Sequence, residues 1–122
     1  MKEILIDGKI FVPKGSVSNS FELAKPKGKL SYVIVRTCSA GVFAGYLKSR
    51  EGKEVVLFNA RRIWYWEGAS SLSQLAMEGT KKPDKCKFPC EVSKVELTEA
   101  IEVLEVSKVA QTSIMGVPVW EN

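Results

Sequence analysis

The chain has 122 residues, of which 45% are hydrophobic and 26% charged, the size and composition of one globular domain rather than a disordered chain. Three cysteines indicate a reducing compartment, and no run reaches the roughly 18 apolar residues of a membrane helix, so we expect a cytosolic protein without membrane contact. The net charge of +4 is uneven, with +8 in residues 1–90 and −4 in residues 91–122, which favours either an anionic ligand near the basic part or docking of the acidic end on it.

The first 30 residues predict a hairpin followed by a loose arm. Two apolar runs, Ile4–Ile6 and Ile10–Val12, flank Asp7-Gly8, and Asp-Gly between short apolar runs is the strongest local signal for a tight hairpin. The segment Lys14–Lys29 is rich in Lys, Ser, Gly and Pro, which is typical of a loop.

The next segment predicts successive strands separated by turns. Tyr32–Cys38 is β-branched and apolar, as in a strand buried on both faces, and the small residues after it break the pattern. Further strands are expected over three segments, Val42–Lys48, Glu54–Phe58 and Arg61–Trp66. Alternation along the last of them predicts one face with Arg62, Trp64 and Trp66, and an opposite face with Arg61, Ile63 and Tyr65.

The remainder of the chain predicts a helix and further strands. Apolar residues recur at helical spacing over Leu72–Met77, and Gly79 is well placed to end that helix. Val92–Leu97 alternates apolar and polar residues as a half-exposed strand does. Ile101–Val106 fits a strand or a helix, and Val109–Ile114 is ambiguous.

These elements predict an α+β fold, a mostly antiparallel β-sheet with one or two short helices packed on it. We expect a single ligand-binding domain over residues 1–122, with a hairpin and loose arm in residues 1–30 and the core in residues 31–122.

Histidine is absent from the chain, and this absence bears on both catalysis and metal binding. Histidine is the commonest general base at neutral pH and the commonest zinc ligand, so a Ser-His or Cys-His nucleophile pair is excluded. A carboxylate mechanism remains possible, but no acidic pair stands out. Cys86 and Cys90 have tolerable ligand spacing, yet Cys38 would add only a third ligand. We therefore expect no enzyme, no metal and no cofactor, with Cys38 and Cys90 as partly buried hydrophobes.

Four segments provide groups that bind phosphates and bases. Ser39-Ala40-Gly41 is a small-residue turn where backbone N–H groups can approach a ligand closely, and Asn59 can read a base edge or a ribose hydroxyl. Arg61-Arg62 supplies guanidinium forks for phosphate oxygens, with surface ion pairs as the alternative role. Trp64-Tyr65-Trp66 supplies stacking surfaces for a purine, with core packing as the alternative.

The segment Tyr32–Leu75 resembles the core of the first Thoeris anti-defence family of phage proteins. The resemblance lies in the SAGVFAG turn and strand, in the run Asn-Ala-Arg-Arg-Ile-Trp, and in Gly-Ala-Ser-Ser-Leu after it. It implies a sponge that binds a cyclic ADP-ribose isomer in the host-cell cytosol and holds it uncleaved, so that the effector NADase is not activated. It also implies a homodimer or larger homo-oligomer with pockets shared between subunits, and cyclic oligonucleotides as ligands of a second site.

The positions that match the family's motifs are those of the turn and of the segment after the third predicted strand. The resemblance implies ligand-binding roles for Ser39, Ala40, Gly41, Val42, Asn59, Arg61, Arg62 and Trp64. The alternative function is a small β domain that binds single-stranded nucleic acid with the same arginines and aromatic residues along a groove.

Overall fold

The computed structural model describes residues 22–121, which fold into five antiparallel strands and two short helices. The elements are β1 (Tyr32–Thr37), β2 (Val42–Glu51), β3 (Glu54–Arg62), α1 (Leu72–Glu78), a 3₁₀ turn (Pro83–Lys85), β4 (Val92–Leu97), β5 (Ala100–Glu105) and α2 (Lys108–Gly116). This arrangement confirms the predicted α+β class. The predicted N-terminal hairpin lies outside the described residues.

The sheet is coiled, because its two edge strands are also consecutive in the chain. The order of hydrogen-bonded strands is β4-β3-β2-β1-β5. In a flat sheet the two edge strands would lie four strand spacings apart, about 19 Å. Only Thr98 and Glu99 join β4 to β5, and a link of that length spans at most about 11 Å. The edges therefore approach each other, and the N–H of Ala100 at the start of β5 donates at 3.0 Å to the carbonyl of Lys53 in the β2–β3 turn.

The coiled sheet separates two apolar clusters. All five strands contribute to the inner cluster, which consists of Val33, Val35, Phe43, Val55, Leu57, Ala60, Leu97 and Ala100. The outer cluster joins the sheet to both helices and includes Tyr32, Ile34, Ala44, Ile63, Leu75, Phe88, Val106, Ala110 and Ile114. Burial on both sides explains why the first four residues of β1, Tyr32–Val35, are all apolar, since their alternate side chains enter different clusters.

Both helices begin at serine caps, and the two helices contact each other through small residues. The hydroxyls of Ser71 and Ser107 each accept the backbone N–H of the third residue along, at 3.1 and 3.0 Å. The Ser107 hydroxyl also donates to the carbonyl of Met77 at 2.7 Å, which joins α2 to the end of α1. Gly79 ends α1 with φ +77°, and a Cβ there would lie 2.4 Å from the Cβ of Ser113. The predicted stop at Gly79 is therefore confirmed.

The strand prediction is wrong in one place. The segments Glu54–Phe58 and Arg61–Trp66 were predicted as two strands, but the first segment and the first two residues of the second belong to one strand, β3, which ends at Arg62. After Arg62 the chain leaves the sheet, so the predicted alternation does not continue through Trp66. The two segments that the pattern left open are resolved, with Ile101–Val106 in β5 and Val109–Ile114 in α2.

The described end of the predicted loose arm is tied to α2. The amide of Gln111, which is 4% exposed, accepts the N–H of Lys25 at 2.7 Å and donates to the Lys25 carbonyl at 2.9 Å. The N–H of Lys108 also donates to the carbonyl of Glu22 at 2.7 Å. This part of the arm is therefore held on the core rather than loose, because a buried amide pairs with its backbone.

A buried arginine connects β3 to the segment before β4 and to the end of α2. Arg61 is 6% exposed, and its guanidinium donates at 3.0 Å to each of three backbone carbonyls, those of Phe88, Pro89 and Ile114. The Ile114 carbonyl belongs to the last turn of α2, where it also accepts the N–H of Val117 at 3.3 Å and where the helix dipole favours a cation. Burial lowers the pKa of the Arg61 guanidinium from its ordinary value.

We expect Arg61→Met to lower the free energy of unfolding by at least about 3 kcal/mol, because three buried carbonyls lose a charged donor. Urea denaturation followed by tryptophan fluorescence measures the change. Arg50→Met is the matched control, since Arg50 is exposed at the β2–β3 turn and should change stability by less than about 0.5 kcal/mol. Equal stability of the two variants would contradict the structural role of Arg61.

Candidate functional site

A cavity of about 400 Å³ lies between the β1–β2 turn and the segment that follows β3. Its lining residues are Ser39, Ala40, Gly41, Val42, Arg62, Ile63, Trp64 and Trp66. Six of the eight residues predicted to bind ligand are in this set: Ser39, Ala40, Gly41, Val42, Arg62 and Trp64. The volume falls in the range of small-molecule sites.

The β1–β2 turn is held in shape by Thr37. Its backbone N–H and its hydroxyl both donate to the carbonyl of Gly41, at 2.9 and 2.8 Å, and the hydroxyl accepts the N–H of Ala40 at 2.8 Å. Gly41 has φ +92°, a conformation that side chains rarely adopt. The turn is thus formed before any ligand arrives, and it requires glycine at its last position.

Two backbone donors in the turn beside the cavity have no acceptor among the described residues. No described residue accepts a hydrogen bond from the N–H of Ser39 or of Gly41, whereas the N–H of Ala40 is used by Thr37. The Ser39 hydroxyl donates to a carboxylate oxygen of Glu99, which places one negative charge beside the turn. Backbone N–H groups of a turn that no protein acceptor occupies can donate to an anion.

Arg62 is fixed in position although it is exposed. Its Nη1 donates to the carbonyl of Ala40 at 2.6 Å, and its Cζ lies 4.4 Å from the centroid of the Phe43 ring. A guanidinium has five N–H donors, and the Ala40 carbonyl is its only acceptor within residues 22–121. Arg62 therefore offers an oriented charged fork at the cavity without a described carboxylate to neutralise it.

The two tryptophans differ in exposure. Trp64 is 63% exposed and presents a broad aromatic surface. Trp66 is partly buried, packs against the outer cluster and donates from Nε1 to the carbonyl of Ala69 at 3.2 Å. Because β3 has ended, they do not share a strand face with Arg62, yet all three line the same cavity.

The other two predicted residues lie elsewhere. Arg61 points to the outer side of the sheet, as the prediction of opposite faces for the two arginines requires, and its guanidinium is occupied by carbonyls. Asn59 accepts a hydrogen bond from the Lys27 ammonium and donates to a Glu91 carboxylate oxygen at 3.0 Å. Neither residue lines the cavity at the β1–β2 turn.

Asn59 is the extra residue of a β-bulge. Its φ of +51° is the only positive value among non-glycine residues in the described part of the chain. In the register between β2 and β3, Ala44 pairs with Arg61 while Tyr46 pairs with Phe58, so two residues of β3 stand opposite one of β2. The bulge shifts the alternation by one, because Leu57 and then Ala60 face inward.

The sequence prediction missed three contributors to the cavity. Ile63 forms part of the wall, Phe43 supports the Arg62 guanidinium, and Thr37 organises the turn. Of these three, only the role of Thr37 had a signal in the sequence. A threonine hydroxyl at the end of a strand commonly forms hydrogen bonds with the backbone of the following turn, and Thr37 lies four residues before Gly41.

The cysteines are arranged differently from the expectation. Cys38 and Cys90 are exposed, and Cys86 is the buried thiol, in contact with the carbonyls of Glu67 and Lys82 at 3.5 Å each. The expected burial of Cys38 and Cys90 is therefore wrong: Cys38 begins the exposed β1–β2 turn, and Cys90 begins the exposed segment that precedes β4. Within residues 22–121, no three Cys, Asp or Glu side chains are grouped as metal ligands.

Residues 30–114 match the model of a family described as a domain of unknown function (DUF6948), and the chain belongs to this family. No curated protein and no solved structure matches it. None of the helices in the described part of the chain is long and apolar enough to cross a membrane.

We expect Asn59→Val to lower the free energy of unfolding by about 1–2 kcal/mol, because a β-branched residue is strained in the left-handed conformation. Asn59→Gly removes the same side-chain contacts without that strain, and it should stay within about 0.5 kcal/mol of the parent. Thermal unfolding of both variants separates backbone strain from the lost hydrogen bonds. A glycine variant as unstable as the valine variant would contradict the role of the bulge.

Proposed function

We propose that this member of the family binds a phosphate-bearing nucleotide of the cyclic ADP-ribose type in the cavity at the β1–β2 turn and holds it uncleaved. The observation that carries the proposal is the joint placement of an oriented guanidinium, backbone donors and two indoles around one cavity. The family description assigns no ligand, so the choice of ligand rests on this chemistry and on the Thoeris resemblance.

The phosphate would be bound beside the turn. Arg62 retains N–H donors beyond its bond to Ala40, and the N–H groups of Ser39 and Gly41 lie on the same cavity. Guanidinium and backbone N–H donors to a phosphate oxygen are charge-assisted, which makes them stronger than neutral pairs. Because Thr37 and Phe43 hold these donors in place, little ordering is needed when the ligand binds.

The base would stack on Trp64. An indole that is 63% exposed at the rim of the cavity is available for a purine, and stacking of this kind contributes about 1–3 kcal/mol per base. Trp66, which is anchored through Ala69, forms the more rigid wall. Phosphate and base would therefore be bound by different sides of one cavity.

The side chains around the cavity are the reason to expect that the ligand is held without being cleaved. The chain has no histidine, and the carboxylate nearest to the turn, that of Glu99, is engaged by the Ser39 hydroxyl. General acid–base catalysis requires a group positioned to take or give a proton, and none of the lining residues has a carboxyl or imidazole side chain.

The biological consequence belongs to the same proposal. A protein that sequesters the signal in the host-cell cytosol blocks Thoeris immunity, because the effector NADase is not activated. As the resemblance implies, copies of the chain would assemble as a homodimer or larger homo-oligomer with shared pockets, and cyclic oligonucleotides would bind at a second site.

Arg62→Ala should weaken binding of the cyclic ADP-ribose isomer by at least about 30-fold. Removing the protein partner of a charge-assisted hydrogen bond costs about 2 kcal/mol of binding free energy or more. Isothermal titration calorimetry with a panel of isomers measures the change, and Arg62→Lys should be intermediate because it keeps the charge without the fork. Arg50→Ala is the control for the lost charge, since Arg50 lies at the β2–β3 turn. Parent-like affinity of a folded Arg62→Ala variant would place the site elsewhere.

The captured ligand should be recovered chemically unchanged after heat denaturation of the complex. The assay mixes the protein with the cyclic nucleotide, removes the free nucleotide, heats the complex and separates the products by chromatography. Linear ADP-ribose that increases with time and protein amount would identify an enzyme instead. A polynucleotide binder is separated from a small-ligand site by salt, because its affinity falls steeply as counterions compete.

A further inference from the structure

Three short extended segments adjoin one another beyond the end of β3. Tyr65 and Lys87 form an antiparallel bridge, in which the N–H of Lys87 donates to the Tyr65 carbonyl at 2.8 Å. Phe88 and Val119 form a parallel bridge, and the N–H of Trp120 donates to the Phe88 carbonyl at 3.0 Å. Residues that are far apart in the chain are thereby fixed side by side.

The side chains of this region place a lysine between two aromatic rings. The Lys87 ammonium lies 5.6 Å from the ring centroid of Tyr65 and 5.6 Å from that of Trp120. Both rings are exposed, at 44% and 43%. We call Tyr65, Lys87 and Trp120 the aromatic platform. Exposed aromatic rings that are fixed by backbone hydrogen bonds offer stacking area at little entropic cost.

The platform is bordered by positive charge. The segment from Lys81 to Lys87 carries four lysines and one aspartate, a balance of +3, and these lysines are exposed. None of them forms a salt bridge with a carboxylate of residues 22–121. Two acidic residues are close to the rings. The Glu67 carboxylate accepts a hydrogen bond from the Tyr65 hydroxyl at 2.8 Å, and Glu121 is the residue after Trp120 in the chain.

We propose that the aromatic platform binds single-stranded nucleic acid. Bases stack on the rings of Tyr65 and Trp120, while Lys87 and the preceding lysines contact the phosphates. Stacking tolerates any base and the lysines contact only the backbone, so the platform binds without sequence preference. The platform uses none of the residues that line the cavity, so this binding does not depend on the proposed nucleotide site.

The test measures binding of a fluorescein-labelled oligothymidylate of roughly 12 nucleotides, a length within the range of single-strand sites, by fluorescence anisotropy. Tyr65→Ala and Trp120→Ala should each weaken binding by about 5- to 100-fold, and Trp120→Phe should retain most of it because a ring remains. Arg62→Ala, which alters the cavity, should leave oligonucleotide affinity unchanged. Val109→Ala is a control for loss of an exposed apolar side chain on α2.

The salt dependence of oligonucleotide binding tests the role of the lysines. The slope of log affinity against log salt should fall by about 0.7 for each lysine contact removed from a single strand, so Lys81→Gln with Lys82→Gln should flatten it by about 1.4. Full affinity in the Tyr65→Ala, Trp120→Ala double variant would overturn the proposal. So would sedimentation showing that this variant breaks an oligomer of the parent into monomers, because the platform would then be covered by a second copy.

Discussion

The left-handed conformation of Asn59 decides which side of the sheet each later residue of β3 faces. Without the bulge, strict alternation from Leu57 would turn Arg61 inward and Arg62 outward. With it, Arg61 lies on the side of the outer cluster beside α2, and Arg62 lies on the inner side of the sheet over the Phe43 ring. One backbone irregularity thus gives two neighbouring arginines different environments, one structural and one available to a ligand.

The cavity combines a rigid frame with an exposed surface. Thr37 fixes the β1–β2 turn, and the Ala40 carbonyl together with the Phe43 ring fixes the Arg62 guanidinium. Trp64, by contrast, has no such support from a strand and has most of its surface in solvent. In the proposed nucleotide site, donors that are held in this way need little rearrangement to bind an anion.

The segment that follows β3 contributes side chains to both the cavity and the aromatic platform. Trp64 and Trp66 belong to the cavity, while Tyr65 between them bridges to Lys87. The main chain therefore separates successive aromatic side chains onto two regions, much as a strand does, although it has left the sheet. The long connection between β3 and β4 is held on the outer cluster by the Arg61 guanidinium and by the buried ring of Phe88. The positions of the cavity and the platform both depend on these buried contacts.

The sequence by itself determined the fold class, the strands β1 and β2, the helix α1 with its stop at Gly79, and six of the residues that meet at one cavity. Those predictions rest on local patterns, such as apolar alternation, capping residues and small-residue turns, which act over a few positions. The tertiary structure decided the roles of Asn59, Arg61 and Cys86. An Asn in a strand is read as a turn former or a ligand group, and only pairing with β2 reveals a bulge. A guanidinium is read as a phosphate donor until the carbonyls of Phe88 and Ile114, distant in sequence, are seen to occupy it. Burial and partners of this kind depend on long-range packing, which no local pattern encodes.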